Sequence, residues 1–159
     1  MTDLIHHLPA TRSPEPEATR HAIEPAPSTT ALDTAILVDL AEGLLDARPL
    51  WEPALEVAPD RRGHVRLLAT EAYEAWLITW PVGHGVELHD HGGSTGVIAV
   101  AEGHLVEIQA NGGGSFRRAE VAEGRTHVVP ADRIHDVVNI GTRAAVSIHV
   151  YSPPLNEMT

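Results

Sequence analysis

From about residue 65 onward the sequence is a succession of short β-rich runs cut by glycine, and this pattern constrains the fold more than any other feature. Val, Ile, Leu, Thr and Trp dominate stretches at 74–80, 95–101, 104–110, 115–121, 126–130, 134–139 and 144–151, which read as strands. Asn111-Gly112-Gly113-Gly114 reads as a hairpin turn, and Glu102-Gly103 as another. Strands this short cannot each bury a face alone, so they must close into a sandwich or barrel. No internal repeat at a solenoid period is present.

The part before residue 65 reads differently. Pro9, Pro14, Pro16, Pro25 and Pro27 stand among charged and small residues, so 1–29 is expected to be a flexible tail that cannot bury enough apolar surface to offset its ordering entropy. His6, His7 and His21 fall in that tail and read as solvated. Thr30 followed by Asp33 resembles a capping box with Asp in place of Glu, and Leu32, Ala35, Ile36, Leu40 and Leu44 fall on one helical face. Pro49 is expected to stop this helix, which would pack on the outside of the barrel. Residues 30–159 then form a single domain with the helix at its start.

Composition narrows the function classes. Aromatic residues are only 4% of the chain, so the core must rest on Val, Ile, Leu and Ala. The formal net charge of −11 argues against a nucleic-acid partner or an anionic membrane surface, since either needs a basic footprint. There is no cysteine, which excludes disulfides, thiolate metal ligands and a cysteine nucleophile. No apolar run approaches the roughly 18 residues a spanning helix requires, and the N-terminus lacks an apolar segment after a basic start. A cytoplasmic protein, monomeric or weakly self-associating, is the expectation.

The chemistry is concentrated in histidines. In a strand, alternate residues share a face, so His89 and His91 of His89-Asp90-His91 face inward together while Asp90 faces away. Two neutral imidazoles can then reach one ion. The segment Gly83 to Gly103 has a glycine, five residues, His-x-His, four residues, Gly96, six residues and a glycine, and resembles the first cupin motif with Gly96 where that motif carries a glutamate ligand. A second segment, Gly124, Pro130, Asp132, His135, Asn139, resembles the second cupin motif, with Asp132 where glycine is usual. Together they assign a mononuclear metal site to His89, His91 and His135 in a cupin barrel (a double-stranded β-helix, or jelly roll). Three neutral imidazoles leave a divalent ion its full charge and open positions, which favours an anionic substrate; ligand type alone does not select among Fe, Zn, Cu and Ni. Asp90 and Asp136 adjoin ligands in sequence and therefore point to the other face. Further along, Ser147, His149 and Tyr151 alternate and share one face, a polar row that needs partners if buried.

A narrower resemblance rests on Trp80, Gly83, His84-Gly85, His89-Asp90-His91, His135-x-Val137-x-Asn139 and Ala145-Val146-Ser147-Ile148-His149-Val150-Tyr151-Ser152-Pro153-Pro154. Over about residues 64 to 155 the chain resembles the cysteine dioxygenase family of thiol dioxygenases. The resemblance implies Fe(II) on His89, His91 and His135, with O2 and a small thiol as the partners and a sulfinate as the product. It further implies a catalytic row of Ser147, His149 and Tyr151, with Tyr151 beside the substrate, and Arg66 as the arginine that binds the substrate carboxylate. It also implies a cis bond between Ser152 and Pro153. Mammalian members cross-link a cysteine to the row's tyrosine; Gly96 stands at that place here, so no cross-link can form, as in many bacterial members. L-cysteine is the expected substrate, with 3-mercaptopropionate or another small thiol carboxylate as the alternative, because relatives using mercaptopropionate tend to carry glutamine in the place of Arg66. A cupin dioxygenase or isomerase using another metal, and a metal-bearing sensor without enzymatic activity, are the competing classes; the absent glutamate and the polar row weigh against the first, and the second leaves the row without a purpose. His64 and His84 read as loop residues, His104 and His127 as surface positions, and Trp76 and Trp80 as core, with Trp80 matching a family position near the site.

Overall fold

The strand closest to the C-terminus, Ala145–Ser152, is buried at all eight positions, and the architecture follows from what covers its two faces. The computed structural model describes residues 31–155, so the Pro-rich stretch with His6, His7 and His21 lies outside the described residues. Among the described residues, helix α1 (Thr34–Asp46), a short helix α2 (Arg48–Trp51) and a 3-10 turn (Glu52–Ala54) precede nine strands: β1 Gly63–Ala69, β2 Glu74–Trp80, β3 Gly85–His89, β4 Thr95–Glu102, β5 His104–Ala110, β6 Phe116–Ala122, β7 Thr126–Val129, β8 His135–Val138 and β9 Ala145–Ser152. They form two antiparallel sheets, ordered β1-β2-β9-β4-β7 and β3-β8-β5-β6.

Strand parity divides the apolar residues into two layers. Ala75, Leu77, Val97, Ala99, Val146, Ile148 and Val150 leave the outer face of the larger sheet and pack against Leu37, Ala41 and Trp51 of the helical segment. Ile78, Trp80, Ile98, Val100 and Ala145 leave the opposite face and meet Leu105, Val121 and Val137 of the smaller sheet. β9 lies centrally in the larger sheet, so its even residues serve the first layer and its odd residues the second.

The structure is a cupin barrel with a helix on its outside, as the glycine-punctuated strand pattern implies, and it refines several local expectations. Asp33 is itself the N-cap of α1, its carboxylate accepting from the Ala35 N–H at 3.1 Å, so the helix begins after Asp33 rather than at Thr30. Its buried face carries Leu37 and Ala41; Ala35 and Ile36 face solvent, a rotation away from the face predicted from periodicity. Pro49 does not stop α1, which ends at Asp46, but opens the short α2, where its missing N–H costs nothing. Glu102-Gly103 is not a hairpin turn. β4 and β5 belong to different sheets, and Gly103, with φ of 75°, turns the chain from one to the other where a Cβ would meet Ala145 at 3.0 Å. Asn111 does close the β5–β6 hairpin, donating its N–H to the Ser115 carbonyl at 2.9 Å. β1 and β3 carry no alternation strong enough to mark them in sequence, and neither is among the strands that the sequence predicts. The Ser152–Pro153 bond is cis, as expected.

The rotated helix face gives a direct check. Leu37→Ala should destabilise the protein by about 2–5 kcal/mol, whereas Ile36→Ala should stay within about 0.5 kcal/mol. Urea denaturation of both variants decides; a larger loss at Ile36 than at Leu37 would place the helix in the other rotation.

Candidate metal centre

His89 ends β3 and His135 begins β8, and the two are paired directly across these strands. The strand does not continue through His91. It ends at His89, after a register shift between Val86 and His89, and the chain turns through Gly92 and Gly93, both at positive φ. Asp90 stabilises that turn by accepting the Gly92 N–H on Oδ1 at 2.8 Å. His91 thus reaches the same space as His89 from a turn rather than by strand alternation. Asp90 does not point fully away, as strand parity predicts, but lines the mouth of the cavity.

The three imidazoles present nitrogen atoms that all lie within 4.8 Å of one another. The Nδ1–H of His89 donates to the Glu87 carbonyl at 2.8 Å, and that of His135 donates to Glu107 Oε1 at 2.7 Å. Both Nε2 atoms are therefore left as lone-pair donors facing a common point. The Nε2 of His91 comes within 3.1 Å of that of His135, while its buried Nδ1 has no partner among the described residues. Burial first, then the neighbouring His135 and His89, pushes His91 down to about 4; burial lowers His89 as well. At neutral pH both are uncharged, the state in which imidazole ligates. Converging imidazole nitrogens, with the Nδ1–H of His89 and of His135 turned outward to their own acceptors, suit a divalent cation, so the residues present fit a metal ion.

These histidines open into a cavity of about 260 Å³, walled by Ile78, Val86, Val137 and Leu155 and by Trp80, His149 and Tyr151. The odd face of β9 supplies the polar wall. Trp80 Nε1–H donates to Ser147 Oγ at 2.8 Å, Ser147 Oγ lies 2.9 Å from His149 Nε2, and His149 Nδ1 lies 2.9 Å from the Tyr151 hydroxyl. An indole can only donate, so Ser147 accepts from Trp80; no acceptor for its own proton other than His149 Nε2 lies within reach among the described residues, which directs that proton to Nε2. His149 then carries its proton on Nδ1 and donates to Tyr151, leaving the phenol proton free for the cavity. Burial holds His149 well below its ordinary value and pushes the Tyr151 phenol up, so the row is neutral throughout. The remaining motif residue, Asn139, braces this end of the site: its side-chain amide donates to the Trp80 carbonyl at 2.9 Å, and its backbone pairs with Gly83 and His84.

Arginine placement departs from the sequence alignment. Arg66 is over half exposed, stacks on Trp76 with its guanidinium 5.5 Å from the ring centroid, and lies 3.9 Å from Glu74; it does not line the cavity. Arg62, four residues earlier and half-buried, does, with its guanidinium 5.3 Å from the centroid of the Trp80 ring. Both arginines stack on a tryptophan of β2, but only Trp80 belongs to the cavity wall, and nothing in the local sequence separates two arginines one helical repeat or two strand repeats apart. His64 and His84 do not line the cavity, and His104 lines a separate cleft with Glu123 and Arg143. His127, expected on the surface, turns inward, its Nε2 2.5 Å from Glu107 Oε2. Glu107 is not marked by the sequence, because a lone glutamate in an apolar strand run resembles a solvent-facing position.

A double-stranded β-helix with a three-histidine centre defines a cupin metalloprotein. Solved structures agree on the fold: a protein of Bacillus halodurans (TM-score 0.58, 20% identity, covering 83% of this chain and 86% of that one) and a protein of Thermus thermophilus (TM-score 0.57, 22% identity, 65% and 93%). A cupin superfamily protein of Desulfitobacterium hafniense is similar as well (TM-score 0.55, 14% identity, 65% and 87%). A family model for cysteine dioxygenase type I matches residues 30–159, and the chain belongs to that family.

Neutral buried imidazoles make stability pH-dependent in a defined direction. His91 titrates near 6.5 when unfolded and about 4 when folded, so the unfolded chain binds more protons between those values and stability falls as pH falls through that window. Each such histidine contributes a slope of about 1.4 kcal/mol per pH unit. Urea denaturation of chelator-treated protein should show a clear loss from pH 6.5 to 5, and His91→Ala should make it shallower by about one such slope, His89 and His149 supplying the rest. A flat wild-type profile would mean that these imidazoles are not buried in neutral form.

Proposed function

We propose that this protein is a non-haem Fe(II) thiol dioxygenase that converts L-cysteine to cysteine sulfinic acid, both atoms of O2 going to the thiol sulfur. The observation that carries this reading is the meeting, in one small cavity, of three converging imidazoles, an arginine and a buried hydroxyl–imidazole–phenol row on a chain of the cysteine dioxygenase type I family. The iron held by His89, His91 and His135 would supply a Lewis-acidic centre with open positions for thiolate and O2.

The chain's own residues do the rest. Arg62 takes the substrate carboxylate by a charge-assisted pair, and its stacking on Trp80 limits the directions in which the guanidinium can point. Ile78, Val86, Val137 and Leu155 keep water from the reacting sulfur. Tyr151, oriented through His149 and Ser147, directs its phenol proton into the cavity as a fixed hydrogen-bond donor. 3-Mercaptopropionate is the other candidate, since it shares the thiol and carboxylate and the only carboxylate lining the cavity among the described residues, that of Asp90, has one oxygen engaged by the Gly92 N–H.

Oxygen uptake by Fe(II)-loaded protein, with mass spectrometry of the product, tests the reading across L-cysteine, 3-mercaptopropionate and cysteamine. Sulfinate from cysteine at the highest kcat/KM is expected; a preference for 3-mercaptopropionate would reassign the substrate, and no uptake with any thiol would refute the activity. Arg62→Ala should lower kcat/KM for the two carboxylates roughly ten- to a hundredfold, the equivalent of losing about 1.5–3 kcal/mol, and leave cysteamine almost unchanged. Arg66→Ala should change none of the three. If Arg66→Ala shows the selective loss instead, the clamp is Arg66.

Tyr151→Phe should retain full iron content and lower turnover, because the phenol acts in the cavity and does not ligate. Metal analysis beside the kinetics separates the two; full turnover in Tyr151→Phe would remove the catalytic role of the row.

A further inference from the structure

Glu107 is a carboxylate with 1% of its surface exposed, in the layer between the two sheets. Burial alone would raise its pKa, but hydrogen bonds from His127, His135 and Gln109 outweigh that and hold it well below the usual carboxylate range. Oε1 accepts from His135 Nδ1–H at 2.7 Å, and Oε2 accepts from His127 Nε2–H and Gln109 Nε2–H, each at 2.5 Å. Arg133 in turn donates to Gln109 Oε1. The network spans both sheets: β5 gives Glu107 and Gln109, β7 gives His127, and β8 gives His135. A buried ionic cluster of this kind is seldom the most stable filling for such a space; well-packed apolar side chains often do as well or better. Its value must come from what the carboxylate touches.

The three ligand histidines are supported unequally. A backbone carbonyl backs His89, a carboxylate backs His135, and no described residue backs His91. Gly96, where the cupin motif carries a carboxylate ligand, has no side chain here, and a Cβ on it would crowd Tyr151 Cε1 at 3.0 Å and His91 Cε1 at 3.2 Å unless those rings shifted by a few tenths of an ångström. The direct donor set is therefore three histidines without a carboxylate, and the buried carboxylate of Glu107 reaches it from behind a ligand.

We propose that Glu107 is a positioning residue of the metal centre, fixing the His135 ring through Nδ1–H and placing behind it the negative charge that three neutral imidazoles lack, with His127 and the Arg133–Gln109 pair anchoring its second oxygen. This rests on the three-histidine metal centre but not on the thiol chemistry. A carboxylate partner makes an imidazole a stronger donor and restricts its rotation. The charge also favours a ferric over a ferrous ion in the same site.

The test is anaerobic Fe(II) binding, measured by competition with a chromophoric chelator, together with the Fe(III)/Fe(II) midpoint potential. Glu107→Gln keeps the shape and removes the charge. It should weaken Fe(II) binding about ten- to a hundredfold and move the potential positive while far-UV circular dichroism stays native. The apo protein should melt lower, because an amide NH2 then faces a donor, and the potential is the readout that a merely structural loss would not move. Glu107→Asp, which restores the charge, should recover part of the binding and of the potential. A folded Glu107→Gln variant with wild-type affinity and potential overturns the proposal. Should that variant not fold, Arg133→Ala loosens the carboxylate from the periphery; weaker Fe(II) binding is then expected, and unchanged binding overturns the proposal. Wild-type protein that binds Fe(II) but oxidises no thiol would sink the proposed activity and leave this inference standing. Wild-type protein that binds no Fe(II) would sink both.

Discussion

Everything at the site depends on β9 being covered on both faces. A strand with a helix behind it and a second sheet in front has no solvent for its polar groups, so each must find a partner within the protein. Val146, Ile148 and Val150 answer this by being apolar and packing toward Leu37, Ala41 and Trp51. Ser147, His149 and Tyr151 answer it by bonding one another in sequence, with Trp80 supplying the donor that sets the direction. Leu32 and Ala72 hold the last residue of the strand through Ser152: its Oγ accepts the Leu32 N–H and donates to the Ala72 carbonyl. The proton that the Tyr151 phenol offers to the cavity is a consequence of that enclosure.

Enclosure also decides protonation. In water His91 and His149 would be partly charged near neutral pH; inside the barrel the cost of desolvating a cation, reinforced by neighbouring imidazoles, keeps both neutral. The same low polarity that empties the imidazoles of charge makes an unpaired carboxylate intolerable, and Glu107 is retained only because three N–H groups converge on it. Ligation and its outer support thus follow from one physical condition.

How much of this the sequence shows depends on whether the signal is periodic or three-dimensional. β2, β4, β5 and β9 are legible because their alternation or apolar run is long, and the ligand set is legible because glycine, proline and histidine fall at fixed spacings around two turns. β1 and β3 are not, since β1 lies at an edge and is largely exposed, and β3 is exposed and broken by a register shift. Periodicity misplaces the helix face by about one residue because Ile36 and Leu37 are equally apolar, and only packing against Val97 and Ile148 distinguishes them. Arg62, Glu107 and His127 share a different difficulty: each is a polar residue whose role is fixed by partners on other strands, a relation that no window of sequence contains.

Charge is the last link between the whole chain and the cavity. The protein carries a net −11, yet the cavity wall is balanced, with one cation, Arg62, against one carboxylate, Asp90. Arg62 faces it as a cation, the Tyr151 row is neutral, Glu107 stands behind His135, and Asp90 has its Oδ1 turned to the Gly92 N–H. A divalent ion on three neutral imidazoles would add to the Arg62 charge. The ligand best matched to such a cavity carries two anionic groups a few bonds apart, one able to ligate and one able to pair with a planar guanidinium. A thiolate with a carboxylate has that form, whereas a lone amine or a neutral alcohol would bring no carboxylate to the half-buried arginine that stacks on Trp80. The acidic exterior would slow the approach of such a dianion, so the local field at the cavity, and not the net charge of the protein, has to select it.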